Sequence, residues 1–407
     1  MRICLLSYRS KPNCGGQGVY IRNLSRALRG LGHKVDVISG TPVCELDDGV
    51  NLIHLPSLDL YNPDDLFRTP RFKELLDPIN LMEWLGVSSQ GFPEPFTFGL
   101  RAYAYLRRHY RCYDIVHDNQ CLAYGIIGIS RLLPTTATIH HPITMDRDIA
   151  IKAAPSFYAK LKEMRWHSFT GMQKRVAKRI QHLITVSHSA KKDISRAFGI
   201  PAKNFDVVLN GIRTDVFQPM PEIKAQAHRI IVTTSSDVPL KGLNYLLKAV
   251  ALVAAVRKIR LVVVGTPKKN GAIVKLIRAL GIGHLITFTG RISDNEFVRQ
   301  YAKAALAIVP SVYEGFGLPA GEAMACGRPV ISTTAGALPE VVGDSGMMVP
   351  PADHHALAVA INTLFDNTDY ANHLGLNGLG RVRQLFTWDQ AARQTVATYR
   401  KVIHAYG

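Results

Sequence analysis

Two glutamates flank a glycine-rich loop in the last third of the chain. Glu314 precedes the loop 315–317, and Glu322 lies about one helical turn beyond it. The apolar run 305–310 predicts a buried parallel strand before the loop, and Leu318-Pro319 predicts a helix start after it. The unpaired N–H groups of a helix start attract phosphate. Phosphates in the middle and hydroxyl-binding carboxylates at both ends describe a site for a nucleotide-sugar.

The same stretch resembles the E-x7-E signature of the family 4 retaining glycosyltransferases. The likeness extends through Glu322-Ala323-Met324-Ala325-Cys326-Gly327 and on to Ala335-Gly336-Ala337-Leu338-Pro339-Glu340. The resemblance implies that Glu322 binds the ribose hydroxyls of the donor and that Glu314 lies beside the donor sugar. It implies that the loop itself binds the donor through Gly315, Phe316, Gly317 and Leu318.

The fold implied by the resemblance is the α/β architecture called GT-B. It has two Rossmann-like, doubly wound parallel-sheet domains that face each other across a cleft, and a C-terminal helix that crosses back to the first domain. The alternation of strand and helix patterns over 229–333 agrees with this, because such repeats build a parallel sheet covered on both faces. We expect an N-terminal acceptor domain, 1–204 completed by 388–407, and a nucleotide-sugar domain, 205–387.

A second glycine loop lies near the start of the chain, between a predicted strand at 2–8 and a predicted helix. Its glycines do not fit G-x-G-x-x-G, and the next strand ends Ile38-Ser39-Gly40, without the acid that holds an adenosine ribose. These two features argue against a dehydrogenase. The resemblance implies that Gly15 and Gly16 lie against the donor phosphate and the acceptor; a tight turn without a ligand is the alternative.

One histidine follows a predicted strand of the first domain. His140 comes directly after the apolar run 137–139, and open α/β sheets place their sites at the carboxyl ends of strands. The resemblance implies that His140 contacts the donor sugar. His141 is its neighbour and could be confused with it. A shared metal is not expected, because adjacent residues on extended backbone point in opposite directions.

The chain departs from the family at the start of the second domain. The family carries Gly-Arg and then Lys-Gly there, and both cations grip the diphosphate. Here Lys241-Gly242 is present, but the arginine position is occupied by Ser235. One phosphate cation is therefore missing or is supplied from elsewhere, and Arg291 is the candidate. A surface lysine at a helix start is the alternative interpretation of Lys241.

Composition narrows the class of protein. A chain of 407 residues with 47% hydrophobic and 20% charged residues indicates a folded protein of two domains. No apolar run reaches the roughly 18–20 residues that span a bilayer, and the first residues form a short strand pattern without the features of a signal peptide. The six cysteines include no C-x-x-C pair, so we expect reduced cysteines and a cytoplasmic protein.

The net charge of +18 favours anionic partners. Two segments of the first domain are candidates for binding an acceptor or an anionic membrane face. Segment 59–110 is predicted to be irregular, with packed helices and loops as the alternative. Segment 152–179 is predicted to be a long basic helix or a pair of helices, with a solvated face on a core-packed helix as the alternative. The expected partners are a nucleotide-sugar donor and a glycan or lipid-linked acceptor. A peripheral contact with the inner membrane face is a further candidate, and nucleic acid is not expected.

The predicted reaction is transfer of a sugar to an acceptor hydroxyl with retention of configuration, for example on a glycolipid or polysaccharide precursor. Lys241 and the helix amides stabilise the leaving diphosphate, while Glu314 and His140 orient the sugar. The chain has no Asp-x-Asp run, so neither a metal nor another cofactor is expected. The alternatives are another GT-B enzyme, such as a sugar-nucleotide epimerase or a phosphorylase, and an inactive scaffold that binds polyanions.

Overall fold

A computed structural model describes residues 1–10, 16–62, 65, 68–234 and 238–407, apart from the side chain of residue 153. The chain forms two compact units. Unit 1 contains Met1–Val186, Ala190–Val208 and Ala391–Gly407, and unit 2 contains Ser187–Ser189 and Leu209–Gln390. The predicted domains, 1–204 completed by 388–407 and 205–387, stay a prediction.

Unit 1 is built on a seven-stranded, fully parallel sheet of order β3-β2-β1-β4-β5-β6-β7. Its strands are β1 (Arg2–Ser7), β2 (Lys34–Ser39), β3 (Asn51–His54), β4 (Ile115–Asn119), β5 (Thr135–Ile139), β6 (Leu183–Thr185) and β7 (Phe205–Val207). Its helices are α1 (Gly16–Gly30), α2 (Phe72–Leu75), α3 (Pro78–Ser88), α4 (Glu94–His109), α5 (Tyr124–Ser130), α6 (Ile143–Ala153), α7 (Phe157–Trp166), α8 (Phe169–Ala177) and α9 (His188–Phe198).

The central strands of this sheet are buried on both faces, which is why they are apolar almost throughout. In β1, all residues after Arg2 are buried, and β5 is buried over its whole length. Strand β4 differs from the others because it is fully buried and yet its last three residues, His117, Asp118 and Asn119, are polar. Polar groups concealed at the carboxyl end of a parallel strand mark this edge as the one that carries the site.

Unit 2 is built on a six-stranded parallel sheet of order β10-β9-β8-β11-β12-β13. Its strands are β8 (Arg229–Thr233), β9 (Arg260–Val264), β10 (Ile286–Phe288), β11 (Leu306–Val309), β12 (Val330–Thr333) and β13 (Met347–Val349). Its helices are α10 (Leu243–Ala254), α11 (Ala272–Leu280), α12 (Asp294–Lys303), α13 (Leu318–Ala325), α14 (Leu338–Val342), α15 (His354–Asp366) and α16 (Thr368–Leu385). The last helix, α17 (Trp388–Tyr406), starts in unit 2 and belongs to unit 1 from Ala391 onward.

Segment 59–110 contains three helices, so its description as irregular was wrong and the alternative of packed helices and loops is correct. Two of its prolines lie at helix starts and interrupt no helix: Pro78 opens α3, and Pro95 lies in the first turn of α4. Helix α4 then buries Phe98, Ala102 and Leu106, which are spaced four residues apart along one face.

Segment 152–179 forms the pair α7 and α8 after the end of α6. Pro155 lies in the break, and the hydroxyl of Ser156 accepts a hydrogen bond from the amide of Ala159 at 3.2 Å to start α7. The two helices differ in packing: α8 buries Met172 and Val176, whereas no residue of α7 is buried. Within the described ranges, no helix is long and apolar enough to cross a bilayer.

Candidate active site

Polar side chains gather at the carboxyl ends of the central strands in both units. In unit 2 they surround the loop after β11, and in unit 1 they follow β4 and β5.

In unit 2, the buried strand β11 ends at Val309, and the chain passes through the glycine loop into α13 at Leu318. Gly317 is the N-cap residue with φ +105°, and Pro319 lies in the first turn. None of the described side chains caps this helix start. Pro319 has no N–H, and the Ala320 N–H donates to the Gly317 carbonyl at 3.0 Å, so the Leu318 N–H and the helix dipole offer the site for an anion.

Lys241 and Glu314 form an ion pair beside this loop. The Lys241 Nζ lies 2.7 Å from the Glu314 Oε1, and the Ser311 hydroxyl donates a hydrogen bond of 2.8 Å to the same oxygen. The Glu314 side chain is 10% exposed and that of Lys241 is 33% exposed. The prediction that both residues belong to one site is consistent with this contact, and Lys241 is more than an isolated surface lysine.

Two glycines allow close backbone contacts next to Lys241 and Glu314. Gly242 has φ +66°, and a Cβ there would lie 1.9 Å from the Pro310 carbonyl oxygen. Gly336 has φ +57°, and a Cβ there would lie 2.1 Å from the Glu314 carbonyl oxygen. Both positions need a left-handed backbone and no side chain, so they hold Lys241 and Glu314 in position through the backbone.

Glu322 lies on α13 next to an arginine that the sequence analysis missed. Burial raises the pKa of Glu322 to about 7, while the charge of Arg213 lowers it and that of Asp294 raises it. Arg213 pairs with Asp294 at 2.6 Å and lies over the Phe217 ring at 5.7 Å. Arg213 follows the turn Asn210-Gly211-Ile212, but no local pattern in the sequence links it to Glu322. At neutral pH, Glu322 is therefore divided between its protonated and ionised forms.

The candidate replacement cation lies at the far side of the same sheet. Arg291 is exposed and follows β10, the edge strand, whereas Lys241 follows β8 directly beside β11. Three strand spacings separate β10 from β11, or about 14 Å. The role of Arg291 stays a prediction. Ser235 and Gly15, two other positions of the predicted donor site, lie outside the described residues.

In unit 1, His140 is fixed by the last residue of β4 and its successor. Its ring Nε2 lies 2.7 Å from the Asn119 Oδ1, and its backbone N–H donates to the Gln120 Oε1 at 2.7 Å. The Asn119 amide nitrogen donates to the Gln17 carbonyl at 3.3 Å, which assigns its oxygen to the histidine. The Nε2 atom therefore carries the proton, and Nδ1 is left as an acceptor.

The environment of His140 keeps it neutral. Burial of the ring, together with smaller effects of the nearby His141 and His117, lowers its pKa to about 3. The Tyr20 ring meets the His140 ring edge to face, with centroids 4.7 Å apart. His141 instead pairs with Asp146 at 2.7 Å, so the two histidines have separate partners. Tyr20 belongs to α1, whose first residue is the exposed Gly16 of the predicted phosphate loop.

Comparisons with known proteins agree with this organisation. Residues 14–216 match the family described as Glycosyltransferase Family 4, and residues 227–367 match the one described as Glycosyl transferases group 1. An MMP alpha-(1->4)-mannosyltransferase from Mycolicibacterium hassiacum is 46% identical over 408 residues, covering 99% of this chain and 98% of the relative. The chain belongs to glycosyltransferase family 4. A D-inositol 3-phosphate glycosyltransferase from a Nocardioides species is 26% identical and covers 98% of this chain and 90% of its own.

Solved structures show the same architecture for this glycosyltransferase. A sucrose-phosphate synthase from Thermosynechococcus elongatus covers 100% of both chains with a TM-score of 0.76 and 25% identity. Anabaena HepE in complex with UDP-glucose covers 98% of this chain and 100% of its own, with a TM-score of 0.71 and 18% identity. The predicted family, the GT-B fold of two Rossmann-like domains and the glycosyltransferase activity are confirmed.

Proposed function

We propose that this glycosyltransferase moves a mannosyl group from a nucleotide-diphosphate donor to a hydroxyl of a mannoside acceptor, with retention and without a metal. The observation that carries the sugar assignment is the 46% identity, over nearly the full length of both chains, to an α-(1->4)-mannosyltransferase. The (1->4) linkage of the product is part of the proposal on the same ground.

The donor is bound by the charged groups of unit 2. The ionised Glu322 accepts hydrogen bonds from the ribose hydroxyls, and the amides at the start of α13 bind the diphosphate. Lys241 neutralises the charge that develops on the leaving diphosphate. Its ion pair with Glu314, at 2.7 Å, positions both side chains next to the loop. Glu314 then orients the donor sugar through its second carboxylate oxygen, since Oε1 already receives Lys241 and Ser311.

Retention follows in this proposal from attack on the face that the diphosphate leaves. The bond between the anomeric carbon and the diphosphate oxygen breaks, and the acceptor oxygen forms the new bond on the same face. The acceptor proton passes to the departing diphosphate oxygen. No side chain is assigned as a covalent nucleophile. Lys241 and the helix amides supply the positive potential that a metal ion supplies elsewhere. Within the described ranges, no three metal-binding side chains of His, Cys, Asp or Glu cluster together.

The proposal is tested with a panel of UDP-, GDP- and ADP-linked sugars, each with and without an α-mannoside acceptor. Transfer from one mannosyl donor, lost in Glu314→Gln, is the expected result. Glu314→Gln keeps the size of the side chain and removes the charge that pairs with Lys241. Product formed only without acceptor, as a changed nucleotide-sugar, would support an epimerase instead.

Two further readouts test the finer parts of the proposal. NMR of the product gives the configuration of the new linkage, and an α-linked product from an α-linked donor is expected. Activity in excess EDTA should equal activity without it. A β-linked product would contradict retention, and loss of activity restored by a divalent cation would contradict metal independence.

The sequence also predicts a cytoplasmic location, a peripheral contact with an anionic membrane face and no binding to nucleic acid. The exposed apolar residues of segment 152–179 belong to α7, whereas α8 directs its apolar residues into the core. Of these two helices, α7 therefore has the apolar residues that are free to meet a partner, and sedimentation with anionic vesicles distinguishes a membrane from a neutral ligand.

A further inference from the structure

Unit 1 contains a cavity of about 250 Å³ that the proposed chemistry does not use. The lining is mostly apolar and comes from α3, the segment before α4, the first turn of α4, the end of α7 and α8. It includes Met82, Phe92, Phe96, Phe169, Met172 and Arg165.

An aromatic cluster forms one wall of this cavity. Phe92 lies at its centre, with ring centroids 5.1 Å from Trp166, 5.4 Å from Phe169 and 5.4 Å from Tyr61. Phe92 also meets Tyr8, the residue after β1, at 6.5 Å. The cluster therefore connects the cavity to the carboxyl edge of the sheet, where parallel sheets bind their ligands.

Two further contacts link the cavity to the surroundings of His140. Met172 lines the cavity, and the next residue, Gln173, donates hydrogen bonds to the Gln120 and Cys121 carbonyls at 3.0 and 3.2 Å. Gln120 in turn accepts the backbone N–H of His140 at 2.7 Å. The cavity and His140 thus share one supporting network within unit 1.

Among the described residues that line the cavity, Arg165 is the one charged group. Its guanidinium donates to the Ser168 and Ser89 hydroxyls at 3.0 and 2.5 Å, which are neutral partners. A Cβ on Gly91 would lie 2.8 Å from this guanidinium, so the glycine leaves the room that Arg165 occupies. An exposed guanidinium beside an apolar cavity can donate to the oxygens of a sugar while the cavity takes an apolar group.

Exposed apolar side chains also lie on α3 and α7, the helices that contribute Met82 and Arg165 to the cavity lining. Met82 itself lines the cavity and is 47% exposed. Helix α7 turns Phe157, Leu161 and Met164 to solvent, and these residues lie on one face at helical spacing. A surface of this kind on a protein marks a binding site.

We propose that the cavity and this surface form an acceptor subsite that binds an apolar substituent of the acceptor, such as an alkyl or acyl group on its sugar. The inference rests on the proposed function, because it assigns the acceptor of that same reaction. The apolar group enters beside Met82 and Phe92, and Arg165 donates hydrogen bonds to the attached sugar.

The charge of this surface favours a neutral ligand over an anionic membrane. Residues 71–88 carry two cations and three acids, and residues 156–168 carry three cations and one acid. Glu83, one of these acids, is buried, so the remaining charges give the surface a net charge of +2, although the whole chain carries +18. Anionic lipid is attracted to clustered cations, and these helices carry only a small part of the chain's excess positive charge.

A binding measurement tests the inference without requiring catalysis. Trp166 touches Phe92, so its fluorescence reports on the occupied cavity. Octyl α-mannoside, below its micelle concentration, should change the emission and bind at least about ten-fold tighter than methyl α-mannoside. The change should vanish in Trp166→Phe. Equal affinities for the two mannosides would overturn the inference, even if mannosyl transfer is fully confirmed.

Matched variants locate the effect. Met82→Gln keeps the length of the side chain and should reduce the preference for octyl over methyl mannoside about ten-fold, in both affinity and kcat/KM for transfer. Leu376→Gln, at an exposed position of α16 in unit 2, should leave the preference unchanged. If the wild type sediments with phosphatidylglycerol vesicles and Met82→Gln does not, the surface binds a membrane and the proposal is overturned. If the wild type self-associates in solution and Met82→Gln does not, the surface binds a second copy, which also overturns the proposal.

Discussion

The candidate residues of the two units have different electrostatics. In unit 2 they are charged and paired: Lys241 with Glu314 at 2.7 Å, and Arg213 with Asp294 at 2.6 Å near Glu322. In unit 1 the candidate residue, His140, is half-buried, neutral and held by two side-chain amides. A diphosphate needs charge compensation, whereas a sugar hydroxyl needs an oriented acceptor. The contrast agrees with the proposed roles, in which unit 2 binds the nucleotide and His140 of unit 1 orients the sugar.

The largest expected effect is the loss of Lys241. Lys241→Ala removes the cation nearest the loop, and we expect kcat to fall by about 10²–10³-fold, as when one preorganised donor is lost from a site that stabilises developing charge. The exposed Lys275 on α11 provides the control, and Lys275→Ala should change kcat less than two-fold. A kcat of Lys241→Ala within three-fold of the wild-type value would show that the charge of Lys241 does not stabilise the leaving diphosphate.

The next effect concerns the backbone that positions Lys241. Gly242→Ala should reduce the free energy of unfolding by about 2–4 kcal/mol, because the added Cβ meets the Pro310 carbonyl and the left-handed conformation is strained. Gly281 has nearly the same φ, +67°, and open space around it. Gly281→Ala should therefore cost only about 1–2 kcal/mol. Equal losses in the two variants, measured by urea unfolding, would show that the close approach at Gly242 is unimportant.

A smaller effect is expected from the titration of Glu322. Its pKa of about 7 is raised from the ordinary carboxyl value by burial, so the ionised fraction rises with pH between 6 and 8. If only the carboxylate accepts the ribose hydroxyls, the affinity for an intact nucleotide-sugar should be about ten-fold higher at pH 8 than at pH 6. Isothermal titration gives the affinities. Glu322→Gln should bind more weakly and show no such dependence; an unchanged slope in that variant would assign the titration to another group.

The smallest expected effect is in unit 1. Asn119→Ala removes the acceptor that fixes the His140 tautomer, and we expect kcat to fall about two- to ten-fold, the range of one hydrogen bond. Because the pKa of His140 is about 3, the wild type should show no His140 titration above pH 5. A carboxylate in Asn119→Asp raises that pKa, so an acidic limb should appear in the rate profile of this variant. Identical pH–rate profiles for the wild type, Asn119→Ala and Asn119→Asp would contradict the assigned tautomer.

The sequence predicted the parts of the site that depend on local pattern. The loop from Glu314 to Glu322 combines a buried strand, glycines and a proline at a helix start, and each is a short-range signal. Lys241 was identified from a motif as well. The contact between Lys241 and Glu314 required the order of the sheet, in which β8 and β11 are neighbours although 73 positions separate the two residues.

Other features depend on tertiary context that the sequence does not display. Arg213 lies near Glu322 only after folding, and Asn119 and Gln120 look like an ordinary strand end. Segment 59–110 was predicted to be irregular, whereas Pro78 and Pro95 lie in the first turns of α3 and α4, where proline is compatible with a helix. The apolar stripe of α7 matches a core-facing helix by pattern alone, and only its exposure reveals the difference.

The division of labour between the units is tested most directly by nucleotide binding in three variants. The nucleoside diphosphate of the donor identified by the panel would be titrated calorimetrically into Lys241→Ala, Glu322→Ala and His140→Ala at pH 8. The account predicts that the first two lose at least ten-fold in affinity, whereas His140→Ala binds like the wild type but transfers sugar poorly. Weakened binding in His140→Ala equal to that in Lys241→Ala would contradict the separation of nucleotide binding from sugar orientation.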